Sequence, residues 1–494
     1  MLLSELIEAV NILEDRGFTD VSISGISTDS RTVKKGDLFI AVKGERYDGH
    51  DFVDDAVKSG AAAVVTQKIV KSEVPLIVVR HTLLAEGLLA ARYYGNPARD
   101  MLMIGITGTN GKTSTAFLLK SILEESFGIV GIIGTVGYGS GKNMFSSQRT
   151  TPGASDLNRK LAAFRDEGCR AVVMEVSSHG VVQGRITGVE FDVGIFTNIS
   201  RDHLDYHKTF KSYLDAKKKF VLSLAERERV KEEGKFVYNA DDPVVREIGE
   251  EFYGRKVSFG VEDDADIKAV NVKTNLKSTS FDLEAEDETV SIGLNLLGEF
   301  SVYNALSAAA ASYALDISSD DIRSGLRRVE SIPGRFQVVP SRKGPTVVVD
   351  YAHTPDALEN VLKFCVNLDS ERLITVFGCG GDRDRGKRPI MGAIAVRFSD
   401  SVYVTTDNPR TEDPHRIIDE ILEGIEKDRS EVEVVVDRRD AIRKAVLEAG
   451  DNDLVLIAGK GHEEIQIVGR KRFKFSDVSE AQRAIKSREV GYQS

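Results

Sequence analysis

The 494-residue sequence has few cysteines and no long apolar segment. Its three cysteines, Cys169, Cys365 and Cys379, are odd in number and far apart, which excludes the disulfide framework of a small secreted domain. No stretch has the length of apolar sequence that a membrane-spanning helix requires. The first ten residues carry acidic side chains within an apolar pattern, which predicts an amphipathic helix and not a signal peptide. We therefore expect a cytoplasmic protein without a membrane anchor.

The sequence also lacks the positive charge that is typical of proteins acting on nucleic acids. Its formal net charge is −11 and its pI is about 5.5. This balance argues against general electrostatic binding to nucleic acid or to an anionic membrane, so we expect neither partner. It permits a local basic pocket for an anionic substrate.

The most distinctive segment is a glycine-rich loop between an apolar strand and a helix. Gly108 and Gly111 allow the backbone to curl around phosphate oxygens, Lys112 supplies a charge, and Thr113 supplies a hydroxyl for Mg²⁺. The usual spacing of such loops places a glycine where this chain has Ile106, so the loop is a variant. A glycine-rich turn could arise by chance, but the strand before it and the helix after it favour binding of a nucleoside triphosphate.

The length of the chain exceeds that of a single hydrophobic core and suggests about three domains. Residues 1–98 alternate short strands and helices, which predicts a small α/β domain. Residues 99–332 predict a central, doubly wound domain similar to P-loop ATPases, with an antiparallel addition over 255–297. Residues 333–494 hold four apolar strand candidates separated by helical patterns, which predicts a Rossmann-like open α/β domain. The fold class is therefore α/β.

Polar side chains follow two of the central strand candidates. Glu175 ends one, while Asn198, Asp202 and His203 follow another. A carboxylate and an imidazole at neighbouring strand ends, together with Thr113, suit Mg²⁺. The residues alone leave a second interpretation open, in which His203 caps the helix that follows it.

A run of three lysines begins at Lys217 on a predicted helix. Lys217 has apolar neighbours at helical spacing, whereas the other two lysines have easier access to solvent. Such charge runs are usually solvated helix faces, and the residues alone favour that interpretation.

Three polar loops follow strand candidates of the last domain, at 378–389, 406–412 and 458–464. Arginine side chains in the first two loops suit bidentate recognition of carboxylates, and Asp407 and Glu463 suit an ammonium group. Each loop alone could be an ordinary turn. Together they predict a site for an amino acid that carries several charges.

With these residues assembled, the chain resembles the Mur ligase family along nearly its whole length. The motifs that carry the resemblance are Asp29–Arg31, Gly36–Asp37, Asp48–His50, Thr107–Ser114, Arg149–Pro152, Glu175–His179, Asn198–His207, Tyr303–Asn304, Pro333–Arg335 and the three loops of the last domain. In this family ATP phosphorylates a carboxylate at the end of a nucleotide-linked peptide. An incoming amine then attacks the acyl phosphate, and loss of phosphate leaves an amide.

The resemblance implies roles for residues of the central domain. Lys112, Glu175, His203 and Lys217 would be catalytic, with Lys217 carboxylated by CO₂. The implied Mg²⁺ ligands are Thr113, Glu175, His203 and the carboxylated Lys217. The implied ATP contacts are Gly108, Thr109, Asn110, Gly111, Lys112, Thr113, Ser114, Asn304 and Arg335.

The resemblance also implies two sites for the molecules to be joined. The UDP-linked substrate would contact Ser30, Thr150, Thr151, Ser177, Gln183 and Arg185. The amino acid would contact Arg383, Asp407, Asn408, Pro409, Arg410, Gly459 and Glu463. Arg149 departs from the pattern, because some relatives have asparagine there, and its contact stays open.

The loop from Asp407 to Arg410 resembles the signature of members that use meso-2,6-diaminopimelate. The resemblance therefore implies addition of meso-2,6-diaminopimelate to the D-glutamate of UDP-N-acetylmuramoyl-L-alanyl-D-glutamate, in peptidoglycan precursor synthesis. Arg410 would hold the distal carboxylate, which lysine lacks. L-lysine as the amino acid is the alternative, and we expect a monomer.

Two further readings compete with this one. The first is a ligase of the same architecture, such as folylpolyglutamate synthetase or a family member that acts at another stem position. The second is a nucleotide-gated switch without ligation, although the sequence contains no Asn-Lys-x-Asp motif for reading guanine.

Overall fold

The computed structural model describes residues 1–44, 47–226, 229–262, 264–286, 288–426 and 431–491. Three large sheets follow one another along the chain, each covered by helices, which confirms the predicted α/β class. Among the described residues, no helix is both long enough and apolar enough to cross a bilayer.

The first sheet has five strands. They are β1 (Ile12–Arg16), β2 (Gly25–Ser27), β3 (Asp37–Ile40), β4 (Ala63–Thr66) and β5 (Leu76–Val79), and they lie in the order β1-β5-β4-β3-β2. The helices are α1 (Leu3–Ile7), α2 (Val53–Lys58) and α3 (Thr82–Tyr93). Strands β3 to β5 are fully buried, as expected for parallel strands covered on both faces. Helix α1 is shorter than the ten residues predicted: it begins after Leu2, which pairs with Ser22 in a β-bridge, and it ends at Ile7.

The second sheet has eleven strands. They are β6 (Leu102–Thr107), β7 (Val130–Ile133), β8 (Tyr138–Ser140), β9 (Asn143–Phe145), β10 (Ala171–Glu175), β11 (Val193–Phe196), β12 (Lys235–Asn239), β13 (Lys256–Gly260), β14 (Ile267–Thr274), β15 (Thr279–Ala285) and β16 (Glu288–Leu294). The helices are α4 (Lys112–Phe127), α5 (Ala154–Asp166), α6 (Ser178–Val182), α7 (Leu204–His207), α8 (Phe210–Leu222), α9 (Pro243–Glu251), α10 (Glu299–Tyr313) and α11 (Ser319–Arg328).

The order of this sheet is β16-β15-β14-β13-β12-β11-β6-β10-β7-β8-β9. Strand β6 lies between β11 and β10 and is parallel to both, so the three strand ends that carry the predicted polar motifs are adjacent. Strands β14 to β16 pair antiparallel at one edge, which confirms the predicted addition over most of its length. Its first strand, β13, instead pairs parallel with β12 and β14, so the antiparallel prediction is wrong there. A second antiparallel pair, β8 and β9, lies at the other edge and was not predicted.

The third sheet has six strands, and a separate hairpin follows it. The strands are β17 (Gln337–Val339), β18 (Thr346–Asp350), β19 (Leu373–Phe377), β20 (Ser401–Val404), β21 (Glu431–Val434) and β22 (Leu454–Ala458), and the hairpin is β23 (Ile465–Val468) with β24 (Lys471–Lys474). The helices are α12 (Pro355–Val366), α13 (Lys387–Phe398), α14 (Pro414–Leu422), α15 (Arg438–Glu448) and α16 (Asp477–Gly491).

The order β17-β18-β22-β19-β20-β21 brings the ends of β22, β19 and β20 together. The three polar loops of this domain follow these strands, so they lie at one edge of the sheet, as predicted. We retain 98 and 332 as the proposed domain limits, since both fall between sheets.

Candidate active site

The loop between β6 and α4 has the backbone shape of a phosphate cradle. Gly108 and Gly111 have φ values of +143° and +85°, which favour glycine. A Cβ at Gly111 would collide with the side chain of Asn304, and one at Gly108 would collide with Thr197. No side chain caps the start of α4. The first N–H groups of the helix therefore remain available for an anion.

The end of β11 holds this loop in place. The Asn198 side-chain oxygen accepts a hydrogen bond from the Asn110 N–H at 2.9 Å, and the Asn198 carbonyl accepts one from the Thr109 N–H at 2.9 Å. The Thr197 hydroxyl donates to the Asn110 carbonyl at 2.6 Å. Because β6 and β11 are both interior strands of the sheet, these bonds anchor the loop to the core of the domain.

Two lysines meet at the loop, the partly buried Lys112 and the buried Lys217. Lys112 Nζ donates to the carbonyls of Gly108 and Thr109 at 2.9 and 2.8 Å, and Lys217 Nζ donates to the Gly108 carbonyl at 2.6 Å. Burial lowers the pKa of Lys217 well below its ordinary value, and the charge of Lys112 lowers it further. Lys217 is 1 % exposed, so the interpretation of a solvated helix face is wrong for this lysine.

Glu175 lies at the end of β10 and is 1 % exposed. Its Oε1 accepts hydrogen bonds from the Thr113 hydroxyl at 2.9 Å and from the Thr135 N–H at 2.8 Å. The Arg335 guanidinium donates to the Thr113 hydroxyl at 2.9 Å. These contacts fix the carboxylate beside the start of α4.

His203 directly precedes α7 and has a left-handed backbone, at φ +55°. Its side chain makes no capping hydrogen bond, so the helix-capping interpretation is wrong. Its Nε2 instead lies 3.3 Å from Asp202 Oδ2. Burial lowers the pKa of His203 to about 3, which keeps the imidazole neutral at physiological pH.

One cavity of about 580 Å³ joins these groups. It is bordered by every residue of the predicted ATP and Mg²⁺ sets, namely Gly108, Thr109, Asn110, Gly111, Lys112, Thr113, Ser114, Glu175, His203, Lys217, Asn304 and Arg335. Tyr351, His353 and Asp356 of the last domain border it as well. The Asn110 side-chain amide donates to Asp356 Oδ2 at 2.7 Å, which holds the last domain against the loop.

Part of the predicted acceptor set also borders this cavity. Thr150 and Ser177 line it, whereas Ser30 lies in the turn after β2, away from it. Thr151 is fully buried, and its hydroxyl contacts Ser177 and the Glu175 carbonyl at 3.0 and 2.9 Å. The Arg185 guanidinium donates to the Thr151 carbonyl at 2.9 Å, and a second contact joins it to the predicted Gln183.

A carboxylate of the first domain lies beside this acceptor region. Glu86 on α3 accepts hydrogen bonds from the N–H and hydroxyl of Ser155, at 3.0 and 2.9 Å, and so caps the start of α5. Burial raises the pKa of Glu86, while the Ser155 bonds and the charges of Arg149 and Arg185 oppose that shift. Arg149 is thus placed near a carboxylate between two domains.

The residues of the predicted amino-acid set cluster at the edge of the third sheet. The Asn408 amide donates to Glu463 Oε2 at 2.8 Å, and Lys460 Nζ donates to the same oxygen at 2.7 Å. Asp407 is buried next to Gly459. Burial alone would raise the pKa of Asp407, but the positive charges of Lys460 and other cations lower it overall.

Arg410, which follows Pro409, has a left-handed backbone at φ +50°. Its guanidinium donates to the carbonyls of Gly381 and Asn408 at 2.7 and 3.4 Å. Within the described parts of the chain it forms no ion pair with a carboxylate. Arg383 lies close enough that its charge, after burial, lowers the pKa of Arg410. Two guanidinium groups thus lie close together, and among the described residues neither is paired with a carboxylate.

Known proteins resemble the chain over its whole length. Residues 22–94 match the Mur ligase family catalytic domain, 106–312 match the Mur ligase middle domain, and 334–461 match the Mur ligase glutamate ligase domain. A UDP-N-acetylmuramoyl-L-alanyl-D-glutamate–2,6-diaminopimelate ligase of Syntrophomonas wolfei subsp. wolfei is 44 % identical over 482 residues, covering 97 % of each chain. The chain belongs to the Mur ligase family.

Two further Mur ligases extend the comparison. The enzyme of the same name from Lactiplantibacillus plantarum is 42 % identical over 468 residues and covers 94 % of each chain. A solved structure with this name is 30 % identical, with a TM-score of 0.68, and the alignment covers 99 % of this chain and 100 % of that one.

Within this Mur ligase, three residues at the site were missed by sequence reasoning. Thr135 contacts Glu175, Lys460 contacts Glu463, and Asp356 contacts the phosphate loop. Thr135 follows the buried strand β7, which is the same signal that pointed to Glu175. Lys460 likewise follows the buried strand β22, so the same signal could have found it, whereas Asp356 could not be found this way because its partner Asn110 is distant in sequence.

Proposed function

We propose that this chain is an ATP-dependent ligase that adds meso-2,6-diaminopimelate to the D-glutamate of UDP-N-acetylmuramoyl-L-alanyl-D-glutamate. The observation that carries the proposal is the meeting, in one cavity, of the phosphate loop, the buried Lys217 and the acceptor-side residues Thr150 and Ser177. The names of the similar enzymes support the same reaction.

The loop geometry supports ATP as the phosphoryl donor. Free N–H groups at the start of α4 suit the phosphates, and Lys112 reaches the same region from within the loop. We assign ATP contacts to residues 108–114, with Asn304 and Arg335 completing the set. The short distance between Arg335 and Thr113 supports a role of the linker arginine beside the phosphates.

The donor atoms around Glu175 fit Mg²⁺. Thr113 offers a hydroxyl, Glu175 a carboxylate and His203 a neutral imidazole, and all three border the cavity. In the described portion of the chain, no three His, Cys, Asp or Glu side chains form a preassembled metal site. Further oxygens must therefore come from substrate, water or a modified Lys217. When bound, Mg²⁺ would screen the repulsion between the acceptor carboxylate and the γ-phosphate.

The surroundings of Lys217 support its carboxylation. A neutral amine is needed to attack CO₂, and burial next to Lys112 lowers the pKa of Lys217 in that direction. The new C–N bond forms as the nitrogen loses a proton, and the product is an anionic carbamate. This anion would offset the charge of Lys112 and present oxygen atoms to a metal ion.

The reaction then requires two steps, activation of the acceptor carboxylate and attack of the amine on the activated group. The acceptor carboxylate attacks the γ-phosphorus of ATP, which gives an acyl phosphate and ADP. The amine of the amino acid attacks the acyl carbon, and the tetrahedral intermediate expels phosphate to leave the amide. We assign acceptor contacts to Thr150, Ser177 and Arg185, and we retain Ser30, Thr151 and Gln183 as proposed members of the set.

The amino-acid cluster supports a substrate with charges at both ends. Asp407 and Glu463 suit an ammonium group, and Arg383 and Arg410 suit a carboxylate. The guanidinium of Arg410 bonds to main-chain carbonyls and keeps its charge available. L-lysine has only an ammonium at its distal end, so this arrangement favours diaminopimelate. We propose that Asn408, Pro409 and Gly459 shape this pocket.

The test is release of phosphate from ATP in the presence of UDP-N-acetylmuramoyl-L-alanyl-D-glutamate. Reactions with meso-diaminopimelate, L-lysine and no amino acid are compared, and product masses are measured. We expect turnover with diaminopimelate and a tripeptide product. Equal turnover with lysine would contradict the specificity, and release without acceptor would contradict ligation.

A further inference from the structure

We infer that Thr135 is a positioning residue that links the acceptor-side Thr150 to Glu175 and sets the direction of the Thr150 hydroxyl. The inference rests on the proposed function, because it assigns a task to these residues within the ligase reaction. Thr135 lies in the turn after β7 and borders the cavity.

Three hydrogen bonds place Thr135 between the two sites. Its N–H donates to Glu175 Oε1 at 2.8 Å, and its hydroxyl donates to Glu175 Oε2 at 3.0 Å. The same hydroxyl lies 3.0 Å from the hydroxyl of Thr150. The neighbouring Gly134 has no room for a side chain, because a Cβ there would meet the Glu175 carboxylate. The turn is therefore closely fitted to Glu175.

The chemistry of these groups fixes the direction of the protons. Carboxylate oxygens accept hydrogen bonds, and a hydroxyl has a single proton to donate. Since the Thr135 proton is used by Glu175, the bond to Thr150 requires Thr150 to donate. Thr150 then presents only oxygen lone pairs to the cavity. It suits a donor on the acceptor substrate, such as an amide N–H or a sugar hydroxyl, and it disfavours a carboxylate or phosphate oxygen.

The hydrogen-bonded series continues on the other side of Glu175. The Thr113 hydroxyl donates to Glu175 Oε1 at 2.9 Å, and Arg335 donates to Thr113 at 2.9 Å. The acceptor side and the phosphate loop are thus joined through two threonines and one carboxylate. Binding at one end should alter affinity at the other, and the effect must be reciprocal.

The experiment compares Thr135→Val, which removes the hydroxyl at similar volume, with Thr135→Ser, which keeps it. The control is Thr375→Val, because Thr375 is a buried threonine in another domain whose hydroxyl lies 2.8 Å from that of Ser399. For each variant, kcat and KM are measured for acceptor and for ATP. Calorimetry then measures ADP affinity with and without acceptor, and thermal unfolding checks the fold.

We expect Thr135→Val to raise the acceptor KM roughly 10-fold, as for loss of one hydrogen bond to the substrate. In this variant the acceptor should change the affinity for ADP little or not at all. The affinity for ADP in the absence of acceptor should stay close to that of the wild type. Thr135→Ser should stay within about 2-fold of the wild type for acceptor KM, and Thr375→Val should lower only the melting temperature.

A Thr150→Val variant and the double variant guard against a general loss of structure. If the two threonines act through one bond, the double variant should be no worse than the poorer single variant. An unchanged acceptor KM in Thr135→Val, or equal impairment in Thr135→Ser, would overturn the inference. Failure of the wild type to release phosphate in response to acceptor would instead overturn the proposed function.

Discussion

The two ends of the active site, the nucleotide end and the amino-acid end, are formed by different kinds of groups. At the nucleotide end, the binding surface is formed mainly by main-chain groups. Gly108 and Gly111 shape the loop, and Asn198 binds it to the end of β11. At the amino-acid end, charged side chains such as Lys460 and Glu463 hold one another. A main-chain cradle selects phosphate of any nucleotide, whereas a charge cluster can be retuned by one substitution. Substitutions in the phosphate loop should therefore change the rate of phosphoryl transfer, whereas substitutions in the charged cluster should change the preference among amino acids.

The largest expected effect lies at the nucleotide end. Lys112→Met removes the charge from the loop and should lower kcat for phosphate release about 1000-fold, because stabilisation of developing charge is lost. The matched control is Lys120→Met on the same helix, where Lys120 pairs with Glu124 away from the phosphates. Steady-state phosphate release measures both variants. Equal rates in the two would show that Lys112 does not act on phosphate.

Most of the nucleotide end could be predicted from the sequence, because the residues that form it are close together along the chain. Glu175 ends the strand β10, as predicted. The glycines, Lys112 and Thr113 lie within one strand-loop-helix unit, so their relation depends on few residues. Their placement in one cavity depends on the sheet order; the alternation of strands and helices predicted a doubly wound sheet but not the order of its strands.

The amino-acid end was predicted only in part, because its geometry depends on contacts between distant segments. The loop bearing Arg410 is held by the hairpin β23–β24, since the Arg410 N–H donates to the Ile467 carbonyl at 3.0 Å. No local pattern pointed to that pairing. The burial of Lys217 is similar, because a charge run predicts solvent exposure unless tertiary packing encloses one of its members.

A smaller effect is expected at the amino-acid end. Arg410→Ala should reduce the preference for meso-diaminopimelate over L-lysine by about 100-fold in kcat/KM, because a charged hydrogen-bonding partner is lost. The KM for ATP should not change, since Arg410 does not border the nucleotide cavity. Competition between the two amino acids measures the preference directly.

Arg416→Ala is the matched control for this variant. Arg416 lies on the nearby helix α14 and contacts Glu420 at the surface, at 3.5 Å. Its removal should leave the preference intact. An unchanged preference in Arg410→Ala would mean that the distal carboxylate is held elsewhere, and Arg383 would be the next residue to change.

The smallest expected effect concerns both ends together, through the histidines at their junction. Burial lowers the pKa of His353 to about 4, although Asp202 opposes the shift, and burial lowers the pKa of His462 to about 3. The unfolded chain has a histidine pKa of about 6.5, so it binds more protons than the folded chain below that pH.

The stability contributed by the neutral imidazoles is therefore complete above about pH 6.5 and is lost as the pH falls toward 4. Between about pH 7 and 5.5, His353→Asn should lose roughly 1–2 °C less in melting temperature than the wild type. The exposed His415 provides the control, since His415→Asn should retain the wild-type pH dependence. Identical pH dependence in all three proteins would mean that His353 is as accessible to protons in the folded chain as in the unfolded one, and that the junction between the two ends is open in solution.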